Sequence, residues 1–312
     1  MKKIAIMFAG QGAQVVGMGK EFYDNFETTK TLYQNASEIL GYNLNKVCFE
    51  ENDMINQTLY TQPAILVTSL AIYEVLKEKT NIKAEAFLGF SLGEYSALYA
   101  CGIFNYKQIV ELIRKRAYYM DKATYENKGS MAAIITSDKE GLESLCKKVS
   151  DKVGLVRIAN YNCASQYVIS GVNEAIDEVI VRKEEANIKK AIKLKVSGAF
   201  HTPLMSTAAL EIEKEIKKIN YNAFHTPIVM NCDAQYLKME ELPLKMKAQI
   251  ESSVYFEDSI KKLISEKFDL FIEIGPGQVL KNLVKKIDEN VAVVSINCIE
   301  DITNLGGMLW LI

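Results

Sequence analysis

Apolar positions along this 312-residue chain switch between two periods. Residues 4–8, Ile-Ala-Ile-Met-Phe, are an unbroken apolar run, which predicts a buried strand. Gly10-Gln11-Gly12 follow and end it in a tight turn. Helical spacing takes over at 20–40. A second helix is predicted over 64–79, with Pro63 just before it, where a missing N–H does no harm. Residues 84–88 predict a short strand, 92–101 a helix closed by Gly102, and 107–122 a further helix.

The pattern changes after Asn127-Lys128-Gly129. Residues 131–135 predict a strand, 139–149 a helix, 155–159 and 167–170 two strands, 174–186 a helix, and 191–196 a strand. That order, β-α-β-β-α-β, is the ferredoxin-like arrangement. Beyond it the spacing predicts a helix at 202–218, a strand at 227–231, a helix including 245–251, and a strand at 268–274 that runs into Gly275-Pro276-Gly277. A helix follows, then a strand at 291–296. Strands alternating with helices imply a mostly parallel sheet. The expectation is a large α/β-hydrolase-like domain, 1–127 and 198–312, interrupted by a small ferredoxin-like subdomain at 128–197.

Composition narrows the chemistry. Apolar residues make up 49% of the chain and charged residues 24%, ordinary values for a protein with a sizeable core. The net charge of −2 gives no electrostatic case for nucleic acid. Cys48, Cys101, Cys146, Cys163, Cys232 and Cys298 are scattered, with no CxxC pair, which fits reduced thiols in a cytoplasmic protein. Only His201 and His225 are present, so a metal site built on several imidazoles is excluded. Lys2 and Lys3 before an apolar run could open a signal peptide, but Gly10-Gln11-Gly12 stand where that run should continue. No stretch reaches the roughly 18 apolar residues of a membrane helix.

The sharpest motif is Gly89-Phe90-Ser91-Leu92-Gly93, a G-x-S-x-G placed after a predicted strand and before a predicted helix. A serine on such a turn projects its hydroxyl out of the fold, and the following helix aims its first amides at developing negative charge. The bland alternative is a serine N-cap between close-packed glycines. A serine hydroxyl needs a base. Both histidines sit in the same tetrapeptide, Phe-His-Thr-Pro, at 200–203 and 224–227. His201 stands where the small domain returns to the large one, a place where clefts form, and is favoured on that ground. His225 precedes the apolar run Ile228-Val229-Met230 and suits a structural role. Gly10-Gln11-Gly12 is no dinucleotide fingerprint, because Val15 stands where a third glycine is needed. As more than a tight turn, it could supply an oxyanion amide together with Leu92.

Taken together, these segments resemble the bacterial malonyl-CoA:acyl carrier protein transacylases. The matching pieces are FAGQGAQ at 8–14, TQPA at 61–64, GFSLGEYSAL at 89–98 and the arginine of RKRAYYM at 114–120. Further along come IANYN at 158–162, GAFHTPLM at 198–205, Gln249 before Phe256, and EIGPGQVL at 273–280. They keep the family's order over nearly the whole chain. The resemblance implies that Ser91 is the nucleophile and His201 its base, with Gln249 orienting His201 through its main-chain carbonyl. It implies oxyanion amides at Gln11 and Leu92, and substrate-binding roles for Arg116, Gln62 and Phe200. A guanidinium suits the malonyl carboxylate, meeting it with two parallel hydrogen bonds. Arg114, two positions away on a helix, should face elsewhere. A bulky Phe200 would crowd the branch of methylmalonyl.

By the same resemblance, the partners are malonyl-CoA and an acyl carrier protein. Neither nucleic acid nor membrane is expected, no metal or redox cofactor is needed, and the chain would act as a cytoplasmic monomer. Two features depart from it or lack an account: Phe90 stands where the family has histidine, and the ending, 306–312, is unusually apolar. Other functions stay open at this point. A patatin-like serine hydrolase also uses a G-x-S-x-G turn, but no Asp-Gly partner motif is evident in the second half. A non-catalytic carrier-docking module would have no use for the Ser91, His201 and Arg116 set. A free-standing acyltransferase that loads polyketide synthases would look much the same. Lys189, Lys190, Lys193 and Lys195 could receive an acidic carrier, or could simply solvate a strand edge.

Overall fold

The computed structural model describes residues 2–196 and 198–311, and leaves the side chains of 307–311 undescribed. The apolar ending therefore falls largely outside the described residues. In chain order the first elements are β1 (Ile4–Phe8), α1 (Lys20–Asn25), α2 (Glu27–Leu40), α3 (Leu44–Phe49), α4 (Thr58–Lys79), β2 (Ala86–Gly89), α5 (Gly93–Ala100) and α6 (Tyr106–Glu126). Then come β3 (Ser130–Ile135), α7 (Lys139–Ser150), β4 (Val156–Cys163), β5 (Gln166–Gly171), α8 (Asn173–Val181), β6 (Lys190–Lys193), α9 (Ser206–Lys218) and α10 (Leu242–Glu251). The chain closes with β7 (Val254–Tyr255), α11 (Phe256–Ser265), β8 (Leu270–Ile274), α12 (Val279–Ile287), β9 (Ala292–Ile296) and α13 (Ile299–Leu311). They form two compact units: Met1–Ala117 with Ile219–Val229 and Leu263–Ile312, and Tyr118–Lys218 with Met230–Lys262.

The first unit is built on a parallel sheet of order β2-β1-β8-β9. Every residue of β1, β2 and β8 is buried, which explains why these strands are continuous apolar runs and not alternating ones. Phe8 pairs with Gly89 and also with Ile274, so three strands end level with one another. The glycine-bearing turns at 10–12, 89–93 and 275–277 therefore share one carboxyl edge of the sheet, the edge where open α/β sheets build their sites. The sheet and helices match the expected α/β class.

Three local expectations are corrected in this unit. Helix α4 starts at Thr58, not at 64, and carries Pro63 inside it. Its start is tied down by Thr61, whose hydroxyl donates to the carbonyls of Ile55 and Gln57. The predicted strand at 227–231 is only a one-residue bridge, Ile228 to Phe87. Pro227 has no N–H to give, and a turn from Met230 to Ala234 begins at once, so a ladder has no room to grow. Thirdly, α4 is long and apolar enough to cross a membrane by length and composition, contrary to expectation. In its most apolar window, 83% is buried within the protein, as in a core helix.

In the second unit β3-α7-β4-β5-α8-β6 forms the predicted ferredoxin-like order, with sheet order β6-β3-β5-β4 and β7 added in parallel beside β4. Ala132, Ile134, Leu145, Ile158, Ile169 and Ile176 belong to its core. The helix predicted to 186 stops at Val181 and continues as a 3-10 turn, Lys183–Ala186. Helices α9 and α10 pack against each other in the same unit.

Candidate active site

Ser91 occupies the turn between β2 and α5. Its φ is 50, in the left-handed region that a residue with a side chain adopts at a cost of about 1–2 kcal/mol. The flanking glycines explain how the turn closes. A Cβ on Gly89 would overlap the backbone of Gly93, and one on Gly93 would overlap the carbonyl of Phe8. The strand and helix are thus too close for any side chain, and the serine is forced outward. Leu92 caps α5 and is fully buried. Phe90, the departure from the family, packs its carbonyl and ring edge against Gly10, whose turn holds Gln11. It therefore fills space beside the Gly10–Gly12 turn with an apolar group.

Gln11 and Gln62 come together on the same side of this unit. The Gln62 amide donates to Gln11 Oε1 at 3.5 Å, and Gln11 Nε2 donates to Thr58 at 3.5 Å. Gln62 is fully buried in α4. The third turn is held by Glu273, also buried. Its carboxylate accepts the backbone N–H of Leu280 and of Lys281, at 2.9 Å each, and the Ser295 hydroxyl. These bonds cap α12, although burial still pushes the Glu273 carboxyl above its ordinary value.

Arg116 lies on the buried face of α6, in line with Ile113 and Met120, and is 1% exposed. Its Nη2 donates to Ser91 Oγ at 3.3 Å. Burial lowers the guanidinium's pKa, while Tyr95 and Glu94 push it back up. Arg114 does face elsewhere: it is exposed and donates to the Ile39 carbonyl. His225 belongs to this unit as well, with its ring against Gly102 and its Nδ1 3.1 Å from the Thr226 hydroxyl.

His201 belongs to the second unit, is 4% exposed, and also has a left-handed backbone, with φ 61. Its Nδ1 bonds the main-chain carbonyl of Gln249 at 3.0 Å. A carbonyl only accepts, so Nδ1 carries the proton and Nε2 is the basic nitrogen of the neutral ring. Thr202 fixes the segment by donating to the Ala199 carbonyl and accepting from Leu204 N. Phe200 is 6% exposed, and Gly198 sits against Thr124. Among the described residues, no group of three His, Cys, Asp or Glu side chains could hold a metal.

No motif in the sequence singles out Glu94, Tyr95 or Glu273. Glu94 and Tyr95 lie in a helix buried nearly all round, where periodicity gives no contrast. Glu273 had a usable signal, a lone acid inside an apolar strand.

Residues 6–304 match the acyl transferase domain family. The malonyl CoA-acyl carrier protein transacylase of Bacillus subtilis is 39% identical over 95% of this chain and 94% of its own length. The solved structure of MCAT from Streptococcus pneumoniae superposes with a TM-score of 0.93 at 39% identity, covering 98% of this chain and all of that one. A malonyl-transacylase solved in complex with a type II polyketide synthase acyl carrier protein has a TM-score of 0.93 at 30% identity, over 97% and 98% of the two chains. The chain belongs to the acyl transferase family and, within it, to the malonyl-CoA:acyl carrier protein transacylases.

Proposed function

We propose that this acyltransferase moves a malonyl group from malonyl-CoA to the phosphopantetheine thiol of an acyl carrier protein, for fatty-acid chain extension. In the first half-reaction His201 Nε2 takes the Ser91 proton as Oγ attacks the thioester carbonyl. The oxyanion meets the amides of Gln11 and Leu92. Collapse expels the CoA thiolate, which takes the proton from His201, and leaves malonyl-Ser91. In the second, the carrier thiol gives its proton to His201 and attacks the ester. Ser91 leaves and is reprotonated by the same imidazole. Gln249 holds the ring in the tautomer that both halves need. The chain works as a cytoplasmic monomer without metal or redox cofactor, and Phe200 disfavours branched acyl groups.

The observation that carries this reading is the buried guanidinium of Arg116, 3.3 Å from Ser91 Oγ. A cation there serves an acyl group with a free carboxylate and penalises one without. Intact-protein mass spectrometry after addition of malonyl-CoA without carrier should show a persistent malonyl adduct on Ser91. No adduct, or an adduct on Cys163, would sink the proposal. Fatty-acid and polyketide carriers would be told apart by comparing both as acceptors.

A further inference from the structure

A guanidinium on a long, flexible stem grips a carboxylate well only when its planar fork is fixed before the substrate arrives. The bond from Arg116 Nη2 to Ser91 Oγ, at 3.3 Å, restrains one corner of that fork. The guanidinium also sits over an aromatic ring: its carbon is 5.1 Å from the centroid of the Tyr95 ring. Tyr95 is fully buried and stands four residues after Ser91, in the first turn of α5. Its backbone N–H donates to the carbonyl of Leu92 at 3.0 Å. Nucleophile and ring are therefore carried by one continuous segment, the turn at Ser91 and the start of α5, and the arginine that meets both comes from a different helix.

We propose that Tyr95 is a positioning residue that sets selectivity for carboxylated acyl groups by holding the Arg116 guanidinium in register with Ser91. The inference rests on reading Arg116 as the partner of the malonyl carboxylate. The ring attracts the cation through its negative face and blocks the swing of the side chain away from the nucleophile. A neutral aliphatic side chain of similar bulk would fill the space without that attraction. An acyl group lacking a carboxylate makes no use of the fork, so the two donor classes should respond differently.

The test measures kcat/KM with malonyl-CoA and with acetyl-CoA in wild type, Tyr95→Phe, Tyr95→Leu and Tyr95→Met. The expected malonyl-to-acetyl ratio falls roughly tenfold in Tyr95→Leu, and Tyr95→Phe restores it because the ring face is kept. A parallel loss with both donors, leaving the ratio unchanged, would mean that Tyr95 only packs. A fall in Tyr95→Phe as deep as in Tyr95→Leu would assign the effect to the hydroxyl and overturn the inference. Tyr95→Met applies the same criterion should Tyr95→Leu fail to fold. A wild type with no preference for malonyl overturns the reading of Arg116 and this inference with it. A wild type with the preference and a Tyr95→Leu that keeps it overturns this inference alone.

Discussion

Ser91 and His201 share one backbone peculiarity and reach it by opposite routes. Both are non-glycine residues with left-handed φ, 50 and 61. Around Ser91 the cause is regular structure: β2 and α5 approach so closely that backbone meets backbone at Gly89 and Gly93. Around His201 the cause is a loop stitched by side chains, Thr202 to Ala199 and Leu204, and Asn127 to the Leu204 carbonyl. One strained residue is held by the main chain, the other by replaceable hydrogen bonds. The contrast teaches where each half of the proposed catalytic pair is vulnerable.

The largest expected effect ignores the route and tests the pairing of roles. Ser91→Ala should abolish the malonyl adduct and lower transfer by about 10⁴-fold or more, and His201→Ala should lower it to a similar level. In the proposed mechanism the two act as a unit, so the double variant should be scarcely worse than either single one. Steady-state transfer rates that multiply in the double variant would show that they do not work together.

The next effect separates the two regions through their glycines. An alanine at Gly93 drives its Cβ into the carbonyl of Phe8, which no rotamer change relieves. Gly93→Ala should lose about 3 kcal/mol or more and fail to give soluble protein. At Gly198 the obstacle is the Thr124 side chain, its methyl first and its Cβ next, and no backbone atom is among the nearest contacts. Gly198→Ala should lose only about 1 kcal/mol in urea unfolding. Equal losses would erase the distinction between a backbone lock and a side-chain lock.

The same distinction explains what was legible in the sequence. A backbone lock demands glycines at fixed spacing, so G-x-S-x-G advertises Ser91 and its strand-turn-helix setting. A side-chain lock can be made from many residue types, so only its place at a domain junction and the family resemblance favour His201 over His225. The role of Arg116 also comes from the resemblance, although the chain carries a physical clue. An arginine spaced with Ile113 and Met120 falls on an apolar helix face, where an unpartnered charge would be costly. The ferredoxin-like order was visible because its strands and helices alternate in period. The apolar run at 227–231 predicts a strand because it does not reveal that Pro227 and the turn at Met230 clip the ladder at both ends. Pro63 looks like the beginning of α4, and only the Thr61 bonds to Ile55 and Gln57 reveal the earlier one.

The smallest effect carries the comparison to its sign. Glycine adopts left-handed φ freely, so replacing a strained residue by glycine relieves the strain but gives up whatever the side chain was doing. Ser91 is half-buried, and its hydroxyl has the 3.3 Å contact with Arg116, which is long for a hydrogen bond. Ser91→Gly relieves strain of about 1–2 kcal/mol and adds unfolded-chain freedom worth about 0.4–1 kcal/mol, so it should be slightly more stable than wild type in urea unfolding, although inactive. His201 is buried, and its ring fills space and bonds Gln249 at 3.0 Å. There the lost packing and hydrogen bond outweigh the relief, and His201→Gly should be less stable by about 1–2 kcal/mol. Opposite signs at two equally strained positions would mean that strain at Ser91 is retained for the reaction alone, whereas the His201 side chain also holds its own loop in place. Destabilisation at both would mean that the Ser91 hydroxyl also supports the fold through Arg116.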